Sequence, residues 1–477
     1  MIHFLTPFLI TVFAFLLTRA IWKNTREISF PIGSFLIFYW TILGGWLKIF
    51  DEVSGGLGKE IGFQYYYFND LVFPVQVDAY YHASLALYGV FYLGILTTVW
   101  IMTKNRSKEI QPDYQPVVIR HEFLVLFCIA ATLISFFLIS DEILTAAKFK
   151  ESVYVVTRHQ PGRWNTLHQL LNQAAVLSLF IGLICFLTGK EGKLFSSERK
   201  KYTLFLYILG LIMVEGILLL EGNRKEIFFG GIFALLFYFH NAAPKPRIKI
   251  IALFMVLTFT PVFFSGGLRS YSPVFLTNYF DVSENTFSRL KEFQYSGFTA
   301  KGATLSFLFS NEIFFAHFSL YGVILYAVPF TWGSSLISLA ASAIPRAFWE
   351  NRPPPVYEYY VEQVHAMPGQ GYTIHHATAW YLNFGIPGIV AGALILGLIW
   401  GFLYRSKLAW SVCVPPSPVG KAGFLKIFFS LGLAGFTAGL PGILRTGPEG
   451  YKTLIVEDLL MPALLIFLSI FLYFKRK

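Results

Sequence analysis

The chain has 477 residues, of which 55% are hydrophobic, 18% aromatic and only 14% charged. Soluble globular proteins carry charge on about a quarter of their residues, so this composition excludes that class and indicates a polytopic membrane protein. The formal net charge of +11 does not predict a nucleic-acid partner. Lys and Arg are enriched in alternate loops between apolar runs, and membrane topology explains that pattern.

Apolar runs of about 20 residues, the length that crosses a bilayer, predict an all-α, polytopic membrane helix bundle of about 11 spans. We expect residues 1–477 to form a single integral membrane domain. The first run lacks preceding basic residues and a following cleavage site, so it is predicted to remain as a helix rather than be removed as a signal peptide. The runs lie near 3–22, 30–50, 80–103, 121–140, 168–188, 203–221, 226–241, 249–267, 379–403, 422–441 and 454–474.

The basic loops are assigned to the cytoplasm, which places the N-terminus outside and the C-terminus, Lys475 to Lys477, inside. The largest outer segment, 268–378, is predicted to be an extracytoplasmic loop carrying short helices. Its apolar stretches near 312–330 and 332–344 are interpreted as partly embedded helices. If both stretches crossed the membrane, the protein would have about 13 spans, and the predicted sides of the two chain termini would stay the same.

One interruption breaks the apolar pattern between 203 and 240. Residues 221–226 contain four ionisable side chains, among them Arg224. An arginine at the membrane edge is costly and indicates function, and its guanidinium fork suits the phosphates of a lipid-linked substrate. The alternative is a salt bridge from Arg224 to Glu221 or Glu226.

A proline-rich segment follows residue 344 and carries Arg346 and Arg352. Its proline density predicts a stiff, extended path that holds both arginines above the membrane. They are interpreted either as substrate ligands or as side chains that reach lipid headgroups.

Three histidines fall close together, at His365, His375 and His376. Histidine is suited to accept a proton near neutral pH, so each is a candidate general base; a structural role is the alternative. Their spacing matches no zinc signature, and the three cysteines lie far apart. No metal and no cofactor is therefore expected.

Further candidates lie in two outer loops. Residues 441–452 carry Arg445 and Glu449, which are interpreted either as part of a site or as interfacial anchors of a helix turn. The net basic loop 141–167 predicts a gate for an anionic substrate. The predicted rim residues are Arg158, Arg163, Arg269 and His375, and the candidate buried acids within spans are Glu215, Glu457 and Asp458.

Four short motifs carry a resemblance to the Wzy-type polymerases of bacterial O-antigen and related oligosaccharide repeat units. They are the Gly-x-Arg turn at 222–224, the Ile-Pro-Arg-x-x-Trp-x-x-x-Pro segment at 344–353, the Asn-Phe-Gly-x-x-Gly sequence at 383–388 and the Arg-x-Gly turn at 445–447. Many members have a glutamate shortly before Asn-Phe-Gly, where this chain has Ala379. That departure favours a histidine as the base.

The resemblance implies a membrane glycosyltransferase that polymerises repeat units carried on undecaprenyl diphosphate into a surface polysaccharide of the lipopolysaccharide type. It would act at the outer face of the bacterial cytoplasmic (inner) membrane, surrounded by membrane lipid, with a flippase and a chain-length regulator as partners. The alternatives are an O-antigen ligase, which uses another acceptor, and a transporter of lipid-linked glycans.

Under this interpretation, arginines would clamp the diphosphate and stabilise the charge that develops as it leaves. A histidine, or else Glu449, would take the proton of the acceptor hydroxyl. The predicted clamp is Arg224, Arg346, Arg445 and Arg352, and the predicted bases are His376, His365 and Glu449.

Overall fold

A computed structural model describes residues 2–57, 72–104, 121–149, 153, 156–157, 164–188, 197–221, 223, 225–241, 248–268, 311–342, 349, 356–366, 373–413 and 421–474. Within these ranges the chain is almost entirely helical and contains no strand, which confirms the all-α class. Eight helices among the described residues are long and apolar enough to cross a membrane. The protein is therefore a multi-pass membrane protein by the length and composition of its helices.

The helices of the described ranges follow the predicted apolar runs closely, and each run is helical over most of its length. In chain order they are α1 (Ile2–Thr25), α2 (Ser29–Val53), α3 (Ala79–Thr103), α4 (His121–Leu138), α5 (Ser140–Phe149), α6 (Asn165–Thr188), α7 (Ser197–Leu220), α8 (Lys225–Asn241), α9 (Ile248–Leu268), α10 (Asn311–Leu325), α11 (Ser334–Ser342), α12 (Val356–Gln363), α13 (His376–Cys413), α14 (Lys421–Thr446) and α15 (450–474).

The difference between eight helices and the predicted 11 or so spans has three visible sources. The first is α9, whose stretch Ile248–Pro261 counts as a shorter apolar helix. The last two predicted runs belong to one apolar stretch of 43 residues, Ile427–Ser469, which a 3₁₀ turn at Gly447–Glu449 interrupts. Helix α8 has 17 residues, just below the length of a typical crossing. The helices α10 and α11 have 15 and 9 residues, in keeping with short helices in this part of the chain.

The described helices belong to two compact units, each formed from separate parts of the sequence. The first comprises Met1–Ile110, Phe293–Arg405 and Gly439–Leu454; the second comprises Gln111–Glu292, Ser406–Ala438 and Ile455–Lys477. In the first unit, α1 packs on α2 and α3, and α10 packs on α3. In the second unit, α6 is central and packs against α4, α7 and α8.

Glycines allow neighbouring helices to approach closely within each unit, as is common in membrane proteins. In the first unit, a Cβ added at Gly397 of α13 would lie 2.7 Å from Cβ of Thr98 on α3. In the second unit, a Cβ at Gly182 of α6 would meet Leu124 and Tyr207, each at 2.6 Å. These positions therefore leave no room for a larger side chain without a shift of the neighbour.

Helix α13 is broken near its start. Phe384 and Gly385 have non-helical backbone angles, and Gly385 adopts φ 64° and ψ −142°, a conformation that essentially only glycine tolerates. Pro387 follows, and Gly388 lies so close to the carbonyl oxygen of Trp380 that no side chain fits there. The Asn-Phe-Gly-x-x-Gly sequence is thus the point where a short N-terminal half-helix joins the longer helical segment.

Asn383 fixes this break to the first turn of α11 and to the turn that precedes it. Its side-chain amide donates to Ser335 Oγ at 2.6 Å and to the Ala379 carbonyl at 2.7 Å. Thr331 adds a hydroxyl bond of 3.0 Å to Asn383 Oδ1 and a backbone bond of 2.7 Å to the Leu382 carbonyl. The buried asparagine therefore satisfies polar groups that the broken helix exposes.

Two π-helical segments interrupt α2 and α15. They lie at Tyr39–Leu43 and Thr453–Leu460. π-Helical turns within α-helices are rare and occur frequently at functional sites. The first of them supplies a backbone carbonyl to the histidine cluster described below.

Candidate functional site

Several of the predicted site residues lie outside the described ranges. They are the clamp residues Arg224, Arg346 and Arg352 and the rim residues Arg158, Arg163 and Arg269. The described candidates are His365, His375, His376, Arg445 and Glu449, all of which belong to the first unit.

His376 begins α13 and is fully buried. Its Nε2 lies 3.0 Å from Nε1 of Trp380 and 3.0 Å from the hydroxyl of Tyr451. An indole N–H only donates, so Nε2 is an acceptor and the neutral ring carries its proton on Nδ1. Tyr451 must then also donate its O–H to Nε2.

His375, beside it, has the opposite tautomer. Its Nδ1 accepts the backbone N–H of Ala377 at 3.1 Å, so the proton of the neutral ring is on Nε2, which lies 3.4 Å from Thr41 Oγ1. Burial lowers the pKa of His375 well below its ordinary value, and the neighbouring His376 and His317 lower it further. The imidazole of His375 is therefore neutral at physiological pH.

A third buried histidine, His317 of α10, completes the cluster and was not among the predicted site residues. Its Nδ1–H donates to the Thr41 carbonyl at 2.9 Å, within the π-helical segment of α2. Its Nε2 accepts the hydroxyl of Tyr81 at 3.1 Å. The sequence signal for this residue is a histidine within the apolar stretch near 312–330, which was interpreted as a partly embedded helix without a site residue.

Tyr88 of α3 joins these elements. Its hydroxyl lies 2.9 Å from the His317 carbonyl oxygen and 3.2 Å from Thr378 Oγ1, and its ring stacks on that of His317 with centroids 5.0 Å apart. Ser319 Oγ contacts Thr378 Oγ1 at 2.8 Å and accepts the backbone N–H of His375 at 3.1 Å. The buried hydroxyl groups of Tyr88, Ser319 and Thr378 thus have hydrogen-bond partners, as polar groups in an apolar setting require.

The turn between α14 and α15 packs directly against the start of α13. Gly447 has φ 71°, and a Cβ there would lie 2.9 Å from Cβ of Ala379. Arg445 occupies the last turn of α14 and Glu449 the 3₁₀ turn; both are half-buried. Two sequence clusters, 373–376 and 445–451, therefore meet in the first unit, and Ala379 faces the turn.

His365 follows α12 and has a different environment. Its side chain is exposed, and its backbone adopts φ 54°. Among the described residues, its side chain forms no hydrogen bond to the network around His376. Among the described contacts, His375 and His376 both pack against the Phe91 ring, with centroids 5.8 and 5.9 Å away, whereas His365 has no such contact with it.

The described part of the 221–226 interruption lies in the second unit. Glu221 is buried, with 3% of its surface exposed, and its carboxyl oxygens contact His168 Nε2 and Asn223 Nδ2. The partner of Glu221 that sequence reasoning missed is therefore a histidine of α6, about 50 residues earlier in the chain than the charged turn.

The predicted buried acids also lie in the second unit. Asp458, in the π-helical segment of α15, accepts a hydrogen bond of 2.5 Å from Gln173 Nε2, and Glu215 is 7% exposed. Within the described ranges, no group of three His, Cys, Asp or Glu residues is arranged to hold a metal ion.

Comparison with family models, with curated proteins and with solved structures finds no match to this chain.

Proposed function

We propose that this protein is a membrane glycosyltransferase that polymerises polyprenyl-diphosphate-linked oligosaccharide repeat units at the outer face of a bacterial cytoplasmic membrane. The observation that carries the proposal is the contact between two distant parts of the sequence. The half-helix that begins at His376 packs on the turn with Arg445 and Glu449. A proton acceptor, a cation and a carboxyl group therefore belong to neighbouring segments of a membrane protein.

Tyr451, which lies next to this turn and contacts His376, is the residue that reaches the acceptor sugar. His376 is fully buried, whereas Tyr451 retains 9% exposure, and its hydroxyl donates to His376 Nε2. An acceptor hydroxyl that donates to Tyr451 Oη can pass its proton there while the tyrosine proton moves to Nε2. His376 then acts as the proton reservoir behind Tyr451 and becomes an imidazolium.

The bond changes balance around this proton transfer. The acceptor oxygen forms a bond to the anomeric carbon of the donor, and the bond from that carbon to the diphosphate oxygen breaks. The electron pair leaves with the polyprenyl diphosphate, whose growing charge Arg445 stabilises. The proton held by His376 returns to water after the product departs.

Trp380 and the glycines of α13 hold the base in place. The indole N–H fixes which nitrogen of His376 accepts, and Gly392 lies against the Trp380 ring. A general base contributes only when its geometry is maintained. The Asn-Phe-Gly-x-x-Gly break therefore serves the proposed chemistry by setting the position of the half-helix.

The test uses the purified full chain in liposomes with a single lipid-linked repeat unit as the substrate. A ladder of lengthened glycans on the lipid supports polymerisation. No product until a different glycan or lipid acceptor is added would assign the protein to a ligase instead. Movement of the lipid-linked unit between leaflets without any new glycosidic bond would reject the enzyme and favour a transporter.

A further inference from the structure

Two histidines from different helices face each other at one end of the first unit. His3 lies at the start of α1 and His82 at the start of α3, and Nδ1 of His3 is 2.9 Å from Nε2 of His82. The ring planes differ by 20°, and the ring centroids are 5.1 Å apart. His3 is exposed and His82 is half-buried, so an ion in solution can reach the two facing nitrogens.

Both facing nitrogens can become ligands. At this distance two neutral imidazoles share one hydrogen bond, in which one facing nitrogen donates and the other accepts. A neutral imidazole carries its single proton on either ring nitrogen. When the donor ring carries its proton on the far nitrogen instead, the pair offers two lone pairs, and no proton is released overall.

A transition-metal ion fits this pair after a small adjustment. Zn–N bonds of about 2.0–2.1 Å at a tetrahedral angle place two nitrogens about 3.3 Å apart, which is about 0.4 Å more than their present separation. The exposed side chain of His3 can turn by this amount. Imidazole suits zinc, copper and nickel, and water takes the remaining positions on the ion.

The charges of the neighbouring described residues favour a cation. Asp78, whose carboxylate caps α3, interacts electrostatically with His82. The end of α2 lies beside the start of α1, because the rings of Phe4 and Trp46 are in contact with centroids 5.6 Å apart. The charged residues at that end of α2 are Lys48, Asp51 and Glu52. Together with Asp78, these residues carry a net negative formal charge, which attracts a cation.

We propose that His3 and His82 form a two-histidine binding site for a divalent transition-metal ion, with Zn²⁺ as the representative ligand. The ion joins the start of α1 to the start of α3, two helices that pack on each other. An ion that binds only the folded protein stabilises it by mass action. Helix α3 also carries Tyr81, whose hydroxyl donates to His317, so the ion holds in place a helix that supports the buried histidine cluster.

The experiment measures Zn²⁺ binding to the full chain in nanodiscs by titration calorimetry, after a chelator has removed any bound metal. H3N and H82N should each bind Zn²⁺ at this site at least about tenfold more weakly than the wild type. The double variant H3N/H82N should match the single variants, because both histidines belong to one site. Zn²⁺ should also raise the unfolding temperature of the wild type more than that of any of these variants.

Two controls separate this site from other zinc binding. H365N removes another exposed histidine and should keep the full response to Zn²⁺. Mg²⁺ prefers oxygen ligands and should leave the unfolding temperature of the wild type unchanged. If H82N does not fold, H3N carries the test, because it changes only an exposed side chain.

Two results would overturn the site. Equal Zn²⁺ binding and equal stabilisation of wild type and H3N would show that the histidine pair is not the ligand. An equal rise of the unfolding temperature with Mg²⁺ would assign the effect to the carboxyl groups instead. Neither result bears on glycan transfer, which the liposome assay tests separately.

Discussion

Trp380 donates its indole N–H to Nε2 of His376 across 3.0 Å, one helical turn away on the half-helix that begins α13. Because an indole cannot accept, this bond settles the tautomer of the histidine and makes the Tyr451 hydroxyl a donor to the same nitrogen. The proposed base is therefore reached through a tyrosine.

Replacing Tyr451 with phenylalanine should lower kcat about 100-fold, because the relay to His376 loses its hydroxyl. KM for the donor should stay close to the wild-type value. Steady-state kinetics on a lipid-linked repeat unit measure both. The control is Y207F, which removes another tyrosine hydroxyl bonded to a buried histidine; a loss equal to that of Y451F would refute the relay.

Arg445 should act on the leaving group. R445Q should reduce kcat/KM for the diphosphate-linked donor by at least about tenfold, since one charge-assisted contact in the transition state is lost. R445K should recover only part of the lost kcat/KM, because the ammonium group of lysine lacks the planar fork of the guanidinium. Equal activity of R445Q and wild type at limiting donor concentration would show that Arg445 does not stabilise the leaving diphosphate.

Adding a single methyl group at Gly385, in the break of α13, should destabilise the folded protein. G385A forces a non-glycine residue into φ 64°, ψ −142°, which costs about 1–3 kcal/mol, and should lower the unfolding temperature in detergent. The control is G216A, since a Cβ at Gly216 of α7 meets nothing within 4 Å. Similar unfolding temperatures for the two variants would contradict the proposed strain.

The lowered pKa of His375 gives a pH dependence with a definite sign. In the unfolded chain His375 takes up a proton near its ordinary pKa of about 6.5, whereas the folded protein keeps it neutral. Stability should therefore fall as the pH decreases below this value.

The measurement is the unfolding temperature in detergent at about pH 7.5 and pH 5.5, on either side of the ordinary pKa. H375N should show a smaller decrease than the wild type. H365N changes an exposed histidine and should match the wild type. An identical decrease in H375N and wild type would show that His375 does not contribute.

The helices were predictable because apolar runs of membrane-spanning length have few alternatives to helix in a bilayer. The break at Gly385 was not predicted, although Asn383 and Gly388 were recognised as a motif. A helix that stops and restarts within an apolar run leaves hydropathy unchanged. Only the left-handed backbone of Gly385 and the contact of Gly388 with Trp380 reveal it.

The candidate site was predictable only as separate clusters. His376 and Arg445 were both selected from sequence, but Tyr451 was not assigned a role, because its importance comes from one hydrogen bond across 75 positions. His317 and His168 were missed for the same reason. Their partners, Thr41 and Glu221, are brought to them by tertiary packing rather than by spacing along the chain.

The π-helical segment at Tyr39–Leu43 also divides α2 into two helical registers. A π turn holds one more residue than an α turn, so the residues after it are rotated relative to an uninterrupted helix. Deleting one residue there would restore regular α-helix and turn the following stretch by about 100°. Gly44 and Gly45, which now face the His317 ring, would point elsewhere, so a chain one residue shorter at this place would require a different partner for that histidine.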